Sequence, residues 1–340
     1  MLKTRLRIGV LGCGKIAQVR HIPEYAANPS VELVGFYDFV DSRAAEMAQR
    51  YGGRAFASAQ ELLACKDIDA VSICTPNYTH ASLAIEALRG GKHVLCEKPM
   101  ATTPAECELM VREADACGKM LLVAHNQRLW QVHQRARALL EEGVIGKPLS
   151  FKACFGHSGP DHWGIEQGTG NWFFDRSKSA FGVMADLGIH KLDLVQYLLG
   201  EEMKEVQAVR AVLDKIDAAG KPVRVEDNAV VLCRMASGVI GTVTVSWTYY
   251  GEEDNDTVIY GSKGTLEILS AQDLVRVRRQ DGEVCEYRLP PKTTSGVIDD
   301  FVNAVLRGAP SAITVKAVLP AMRALFAAVE AADTGKKICL

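Results

Sequence analysis

Six residues, Gly12-Cys13-Gly14-Lys15-Ile16-Ala17, separate the apolar run Leu6 to Leu11 from a stretch of helical character, and they restrict the folds open to this chain. At this spacing the first glycine permits a tight strand-to-helix turn, the second lets a phosphate approach the backbone, and the alanine allows the helix to lie close on the strand. The helix N-terminus so formed attracts a pyrophosphate. Asp38 ends the next apolar run, where a carboxylate accepts hydrogen bonds from ribose hydroxyls. These residues predict a dinucleotide site built from Gly12, Gly14, Lys15, Ile16 and Asp38. A carboxylate at position 38 repels a 2′-phosphate, and Phe39-Val40 places no cation directly beside it, so NAD is expected in preference to NADP. Arg43 would weaken that preference by reaching back to Asp38; its other reading is a solvated residue in the first turn of the next helix.

The pattern of elements agrees with such a site. Between Leu6 and Ala124, short apolar runs alternate with helical stretches, giving strands at Leu6 to Leu11, Val31 to Tyr37, Ala70 to Cys74, His93 to Cys96 and Met120 to Ala124. Helices are expected from Tyr78 to Leu88, ahead of Gly90-Gly91, and from Pro104 to Cys117, opened by proline and closed by Gly118. This βαβ order predicts a parallel sheet with right-handed crossovers. After a helix around Val132 to Glu142 and the turn Gly143 to Pro148, long strands take over, with one helix near Asp186 to Leu199. In Val239 to Trp247 the residues Val239, Gly241, Val243, Val245 and Trp247 share one face. Ile240, Thr242, Thr244 and Ser246 share the other, which is either an interface between copies of the chain or a plain solvated face. Val297 to Leu306 and Ala317 to Ala332 read as helical.

Composition removes several classes of function. The chain has 340 residues, 48% of them hydrophobic and 24% charged, which suits about two soluble domains. A formal net charge of -2 with scattered basic residues gives no electrostatic case for nucleic acid or an anionic membrane surface. Ten cysteines without a CxxC pair, several of them in segments expected to be buried (Cys74, Cys96, Cys154, Cys233), read as reduced apolar residues, and the protein is expected in the cytoplasm. The start Lys3-Thr4-Arg5-Leu6-Arg7 with Ile8 to Gly12 is too short and too glycine-broken for a signal peptide, and no run reaches transmembrane length.

Three further groups carry chemistry. Glu97-Lys98-Pro99 closes the strand His93 to Cys96, so that Lys98 stands at a carboxyl end, where doubly wound sheets bind ligands. Taken alone it is equally a strand-ending lysine before a helix-opening proline. Thr75-Pro76-Asn77 ends another strand and, with His80, is expected to line the nicotinamide side of a cofactor; Asn77 is also a candidate N-cap and His80 a candidate helix-surface residue. Asp186 and His190 are spaced to share a helix face, as an acid/base pair or as a surface pair. Gly188 between them costs about 1 kcal/mol against alanine, which suggests close approach of another segment or a ligand.

Together these residues resemble the Gfo/Idh/MocA family of oxidoreductases along essentially the whole chain. The motifs in order are GxGxxA with Asp38, Thr75-Pro76-Asn77 with His80, Glu97-Lys98-Pro99, Asn126-Gln127-Arg128, Gly146-Lys147-Pro148 and Asp186-x-Gly188-x-His190. The resemblance implies an α/β Rossmann nucleotide-binding domain, drawn over residues 1–124, followed by an α+β domain with a large open, mostly antiparallel sheet over 125–340. A C-terminal helix at about 315–334 would pack back on the first domain. It implies a homodimer or homotetramer formed through that sheet, with Lys98, Asp186 and His190 as catalytic residues. Cofactor contacts are then expected from Arg43, Thr75, Asn77, His80, Glu97, Lys98 and Gln127 as well as the glycine turn. Substrate contacts are expected from Lys98, Arg128, His157, Trp172, Asp186 and His190.

In the implied reaction His190 takes the proton of a secondary alcohol, Lys98 donates a hydrogen bond to the developing alkoxide, and hydride passes to the nicotinamide. The substrate is expected to be a sugar, sugar derivative or cyclitol. The segment His157 to Trp163 with Asn171 to Arg176 interleaves aromatic and hydrogen-bonding side chains and is the candidate substrate wall; an ordered loop packed by Trp163 and Trp172 is its alternative. No metal is expected at His157, Asp161 and His162. Where many relatives place a run of glycines, this chain has Ser179-Ala180-Phe181-Gly182, which alters the expected pocket. Two other functions fit the same motifs: a glycosidase that oxidises its sugar transiently with a retained NAD, and a non-catalytic sensor of nucleotide or sugar.

Overall fold

The computed structural model describes residues 5–340 except Glu166, Gln167, Thr169 and Ala218, so Lys3 and Thr4 of the basic start lie outside the described residues. Two compact units account for the chain, Met1–Asn126 with Thr294–Leu319, and Gln127–Thr293 with Pro320–Leu340. The stretch Thr294–Leu319 thus groups with the first unit. The helix Val315–Thr334 changes unit at Pro320.

Among the described residues, the first unit is built on six strands: β1 (Leu6–Leu11), β2 (Val31–Tyr37), β3 (Arg54–Ala55), β4 (Ala70–Ile73), β5 (His93–Cys96) and β6 (Leu121–Val123). They pair in parallel in the order β3-β2-β1-β4-β5-β6. β4 and β6 are wholly buried and β5 nearly so, as expected for strands covered on both faces. The helix Pro104–Cys117 has the expected ends: Thr103 and Glu106 form a reciprocal capping box, and Gly118 takes the left-handed conformation. The short strand β3 and helix Ala59–Ala64 carry too few residues to show a period in the sequence.

Among the described residues, the second unit carries nine strands: β7 (Pro148–Gly156), β8 (Met203–Ala211), β9 (Asn228–Met235), β10 (Ile240–Ser246), β11 (Thr257–Gly261), β12 (Gly264–Leu269), β13 (Leu274–Arg279), β14 (Val284–Arg288) and β15 (Ile338–Cys339). Their order is β14-β13-β12-β11-β7-β10-β9-β8-β15, and all pairs are antiparallel except β7 with β10. The alternation read from Val239 to Trp247 holds: Val243, Val245 and Trp247 are buried, and Ile240 is exposed. Ser246 departs from it, buried with its hydroxyl accepting from the Thr248 N–H. Helix Ile189–Leu199, buried on most of its surface, packs on the inner face of β7. Across the outer face lie exposed Val209, Val230, Leu232 and Ile240.

Two local expectations need correction. Cys154 is only half-buried, its thiol beside the Tyr249 hydroxyl at 3.8 Å. The helix expected from Asp186 begins at Met184 with one π-helical turn, Met184–Gly188, before the α-helix. No helix among the described residues is long and apolar enough to cross a membrane.

Candidate functional site

In the first unit the register of the parallel strands decides what stands together. Leu11 pairs with Tyr37 and with Ile73, and Ile73 pairs with Cys96, so Gly12, Asp38, Thr75 and Glu97-Lys98 all leave at one edge. The edge includes the point where the strand order reverses between β1 and β4. Gly12 has φ +89°, and a Cβ there would stand 2.6 Å from the Cys74 carbonyl, so only glycine fits. At Gly14 a Cβ would meet nothing within 4 Å, leaving the backbone open where a pyrophosphate would approach. Ala17 is fully buried at the start of the π-helical turn Ala17–His21. Lys15 is exposed, and Ile16 half-buried. These features fit a dinucleotide.

Asp38 is bound into the same turn. Its carboxylate accepts from the Cys13 N–H at 2.7 Å and from the Val40 N–H at 2.9 Å. Arg43 does reach back, its guanidinium lying 3.6 Å from Asp38. Both of the alternatives left open for Asn77 and His80 are displaced. Asn77 occupies the first position of a short 3₁₀ turn whose cap is Pro76, and His80 is buried. The His80 ring nitrogens lie 2.8 Å from the Pro99 carbonyl and 2.7 Å from the Thr75 carbonyl, so the ring ties the two strand-end loops together. Burial pulls its pKa below the ordinary histidine value, against the two carbonyls, which pull it up.

Lys98 is half-buried and precedes a cis peptide bond to Pro99. Its N–H donates to Glu97 Oε2 at 3.1 Å, and Glu97 Oε1 lies 2.9 Å from His21 Nε2. The other His21 nitrogen is 2.7 Å from the Ser72 hydroxyl. Burial alone would raise the Glu97 carboxyl, but the bond and charge of His21, helped by Arg20 and Lys98, outweigh it and hold the carboxyl at about 2. His21 has no motif of its own in the sequence, because its partner is 76 residues away.

The second unit holds Asp186 and His190, both buried, on the π-helical turn and the helix that follows it. Asp186 Oδ2 accepts the indole N–H of Trp247 at 3.0 Å. The Phe155 ring lies 5.9 Å from the His190 ring. No other segment of the chain crowds Gly188: a Cβ there would meet Val245 at an ordinary 3.7 Å. The tight glycine is Gly182, where a Cβ would fall 2.0 Å from the Glu226 carbonyl oxygen. In the altered segment before it, Ala180 takes a positive φ of 66°, and Phe181 packs edge-on against Phe326.

Arg128 and Gln127, expected at substrate and cofactor, are held by partners that the sequence did not single out. Arg128 forms a two-pronged buried pair with Asp193, at 2.8 and 2.6 Å. Gln127 donates to Asn255 Oδ1 at 3.3 Å, and the fully buried Lys191 donates to the Asn255 carbonyl and the Thr257 hydroxyl. Burial pulls the Lys191 ammonium down to about 7, against several nearby carboxylates. In the substrate-wall segment, His157 Nδ1 accepts the Gly159 N–H, and Trp172 stacks on Phe173 with centroids 4.0 Å apart. Asp161 takes the Lys215 ammonium, 2.9 Å from each oxygen. The signal that would have found these partners is a polar residue in an otherwise apolar helix or strand end; Lys191 and Asp193 in Ile189–Leu199 are examples.

Comparison with known proteins follows the same division. A family described as "Oxidoreductase family, NAD-binding Rossmann fold" matches residues 6–125, and the "GFO/IDH/MocA C-terminal domain" matches 133–267. The chain is 30% identical over 337 residues to 1,5-anhydro-D-fructose reductase of Ensifer adhaerens, covering 97% of each. It is 29% identical over 264 residues to myo-inositol 2-dehydrogenase of Thermotoga maritima, covering 77% of this chain and 74% of the relative. A crystal structure of GenD2 from gentamicin A biosynthesis, in complex with NAD, superposes with a TM-score of 0.86 at 27% identity, over 100% of this chain and 97% of the other. With its glycine turn, Asp38 and parallel sheet followed by the mixed sheet, the chain belongs to the Gfo/Idh/MocA family of NAD-binding oxidoreductases.

Proposed function

We propose that this oxidoreductase removes hydride from a secondary hydroxyl of a sugar, sugar derivative or cyclitol, using Lys98, Asp186 and His190. The observation that carries the reading is the parallel register, which sends Gly12, Thr75 and Lys98 out at one edge beside the open backbone of Gly14. Bound NAD supplies the hydride acceptor. Gly12, Gly14 and Asp38 hold it, and His80 acts on it through the Thr75 and Pro99 loops that its ring joins. His190 takes the hydroxyl proton, Lys98 steadies the oxygen as charge develops, and Asp186 orients the imidazole. The names of relatives support the substrate class, since they act on inositol, a glucoside and levoglucosan.

The test is NADH absorbance across myo-inositol, levoglucosan, methyl glucosides, aldoses and sugar acids, with 1,5-anhydro-D-fructose and NADH for the reverse direction. Turnover of one of these with NAD is expected; aglycone release without net NADH would instead identify a glycosidase cycle, and no turnover with NAD still bound would identify a sensor.

The exposed Val209, Val230, Leu232 and Ile240 support docking of a second copy on the outer sheet face, as a dimer or tetramer. Leu232→Arg should then lower the mass measured by light scattering. Ten free thiols support a reducing compartment, the cytoplasm.

A further inference from the structure

We propose that Trp247 is a positioning residue of the acid/base pair: its indole N–H fixes one oxygen of Asp186, and its ring links that carboxylate to the aromatic part of the substrate wall. The inference rests on the reading of Asp186 and His190 given above.

Trp247 lies at the end of β10 and is fully buried. An indole nitrogen can only donate a hydrogen bond, so Asp186 Oδ2, 3.0 Å away, must present a lone pair to it. The bond restrains the carboxylate's rotation. A buried indole needs an acceptor, but a backbone carbonyl would satisfy it; a buried carboxylate, in contrast, is costly unless it is hydrogen-bonded. The same ring meets Phe173 and Phe174 edge-on, with centroids 6.4 and 5.7 Å apart, and Phe173 in turn stacks on Trp172. The Trp247 main chain is anchored as well, its N–H donating to the Asp227 carbonyl. Asp227 gathers the N–H groups of Leu213, Asp214 and Lys215, and Lys215 holds Asp161 and the Ser158 carbonyl. Both parts of the wall are therefore referred to the β9 and β10 ends that also fix Asp186.

The experiment is a double-mutant cycle of Trp247→Phe and Asp186→Asn, read as kcat and KM on the substrate found by the NADH panel. Loss of a hydrogen bond to a charged group predicts a fall in kcat of roughly tenfold to a hundredfold for Trp247→Phe, with KM for NAD unchanged. In the Asp186→Asn background the same change should cost less than about twofold, since the two side chains act as one unit. Equal losses in both backgrounds would reduce Trp247 to packing and overturn the proposal, as would a silent Trp247→Phe beside a crippled Asp186→Asn. Full activity in Asp186→Asn would instead remove the acid/base reading itself. Should Trp247→Phe fail to fold, the indole N–H signals of the four tryptophans in 15N-labelled protein serve in its place. Asp186→Asn should move the Trp247 signal most; four unmoved signals would overturn the proposal without any substrate.

Discussion

The carboxyl edge of the parallel sheet and the π-turn at Met184–Gly188 both carry candidate chemistry, but they are held in different ways. At the sheet edge, groups are placed by strand ends, and several of their bonds cross short stretches of chain, although His21 reaches Ser72 and Glu97 over 51 and 76 residues. Cys13 to Asp38 spans 25 residues and His80 to Pro99 spans 19. Around Asp186 the holding residues are distant: Trp247 is 61 residues away, Asp193 lies 65 from Arg128, and Asn255 lies 128 from Gln127. Each region begins with a π-helical turn, Ala17–His21 in one and Met184–Gly188 in the other, a form that recurs at functional sites. A strand end aims its residues by backbone alone. A helix face needs partners from elsewhere to do the same.

The contrast can be broken first at the chemistry. Lys98→Met and His190→Asn should each lower kcat by about 10² to 10⁴-fold while leaving the NAD dissociation constant near its original value. Retained turnover in both variants would remove the assigned roles from both regions at once. Next comes the brace of the second region: Arg128→Met removes the two-pronged guanidinium pair from the buried Asp193 and should destabilise the protein by about 3–5 kcal/mol, read by urea unfolding. A loss below about 1 kcal/mol would mean that the helix does not depend on its distant partner. Gly182→Ala offers a sharper local probe, since the Glu226 carbonyl must move; a lowered Tm with intact NAD binding is expected.

Acid tests the first region. The unfolded Glu97 carboxyl titrates near 4.5, whereas in the folded protein it is held at about 2. The unfolded chain therefore binds the proton first, so the contribution of Glu97 is complete above about pH 4.5 and disappears as pH falls through about 2. Glu97→Gln should flatten the acid side of the stability curve measured by urea unfolding at pH 5 and pH 3; an unchanged slope would exclude the His21 pair as its source. The smallest effect is expected at Arg43, whose charge lies 3.6 Å from Asp38. Removing it with Arg43→Ala should raise the kcat/KM ratio of NAD over NADP several-fold.

Much of the first region was legible because its information is local. The run Leu6 to Leu11, the glycine spacing, Asp38 and Glu97-Lys98-Pro99 each announce a strand end or a turn, and the register of a parallel sheet does the rest. The four-residue spacing of Asp186 and His190 was legible for the same reason. Their support was not: Trp247 reads only as the apolar end of an alternating strand, and Asp193 as one more polar residue in a helix. Among segments of the chain, the close neighbour that Gly188 suggested belongs to Gly182 instead.

By itself the sequence determined five of the six strands of the first unit, the nucleotide turn and the alternation of Val239 to Trp247, and it named candidates for moving protons. Tertiary structure decided that His80 ties two loops, that Arg43 reaches Asp38, that Arg128 pairs with Asp193, and that the Asp186 carboxylate meets the indole N–H of Trp247. The physical reason is the range of the interaction. Hydrophobic period and turn geometry act between near neighbours in the chain and leave a pattern there, whereas a buried hydrogen bond between distant residues leaves none until the chain has folded.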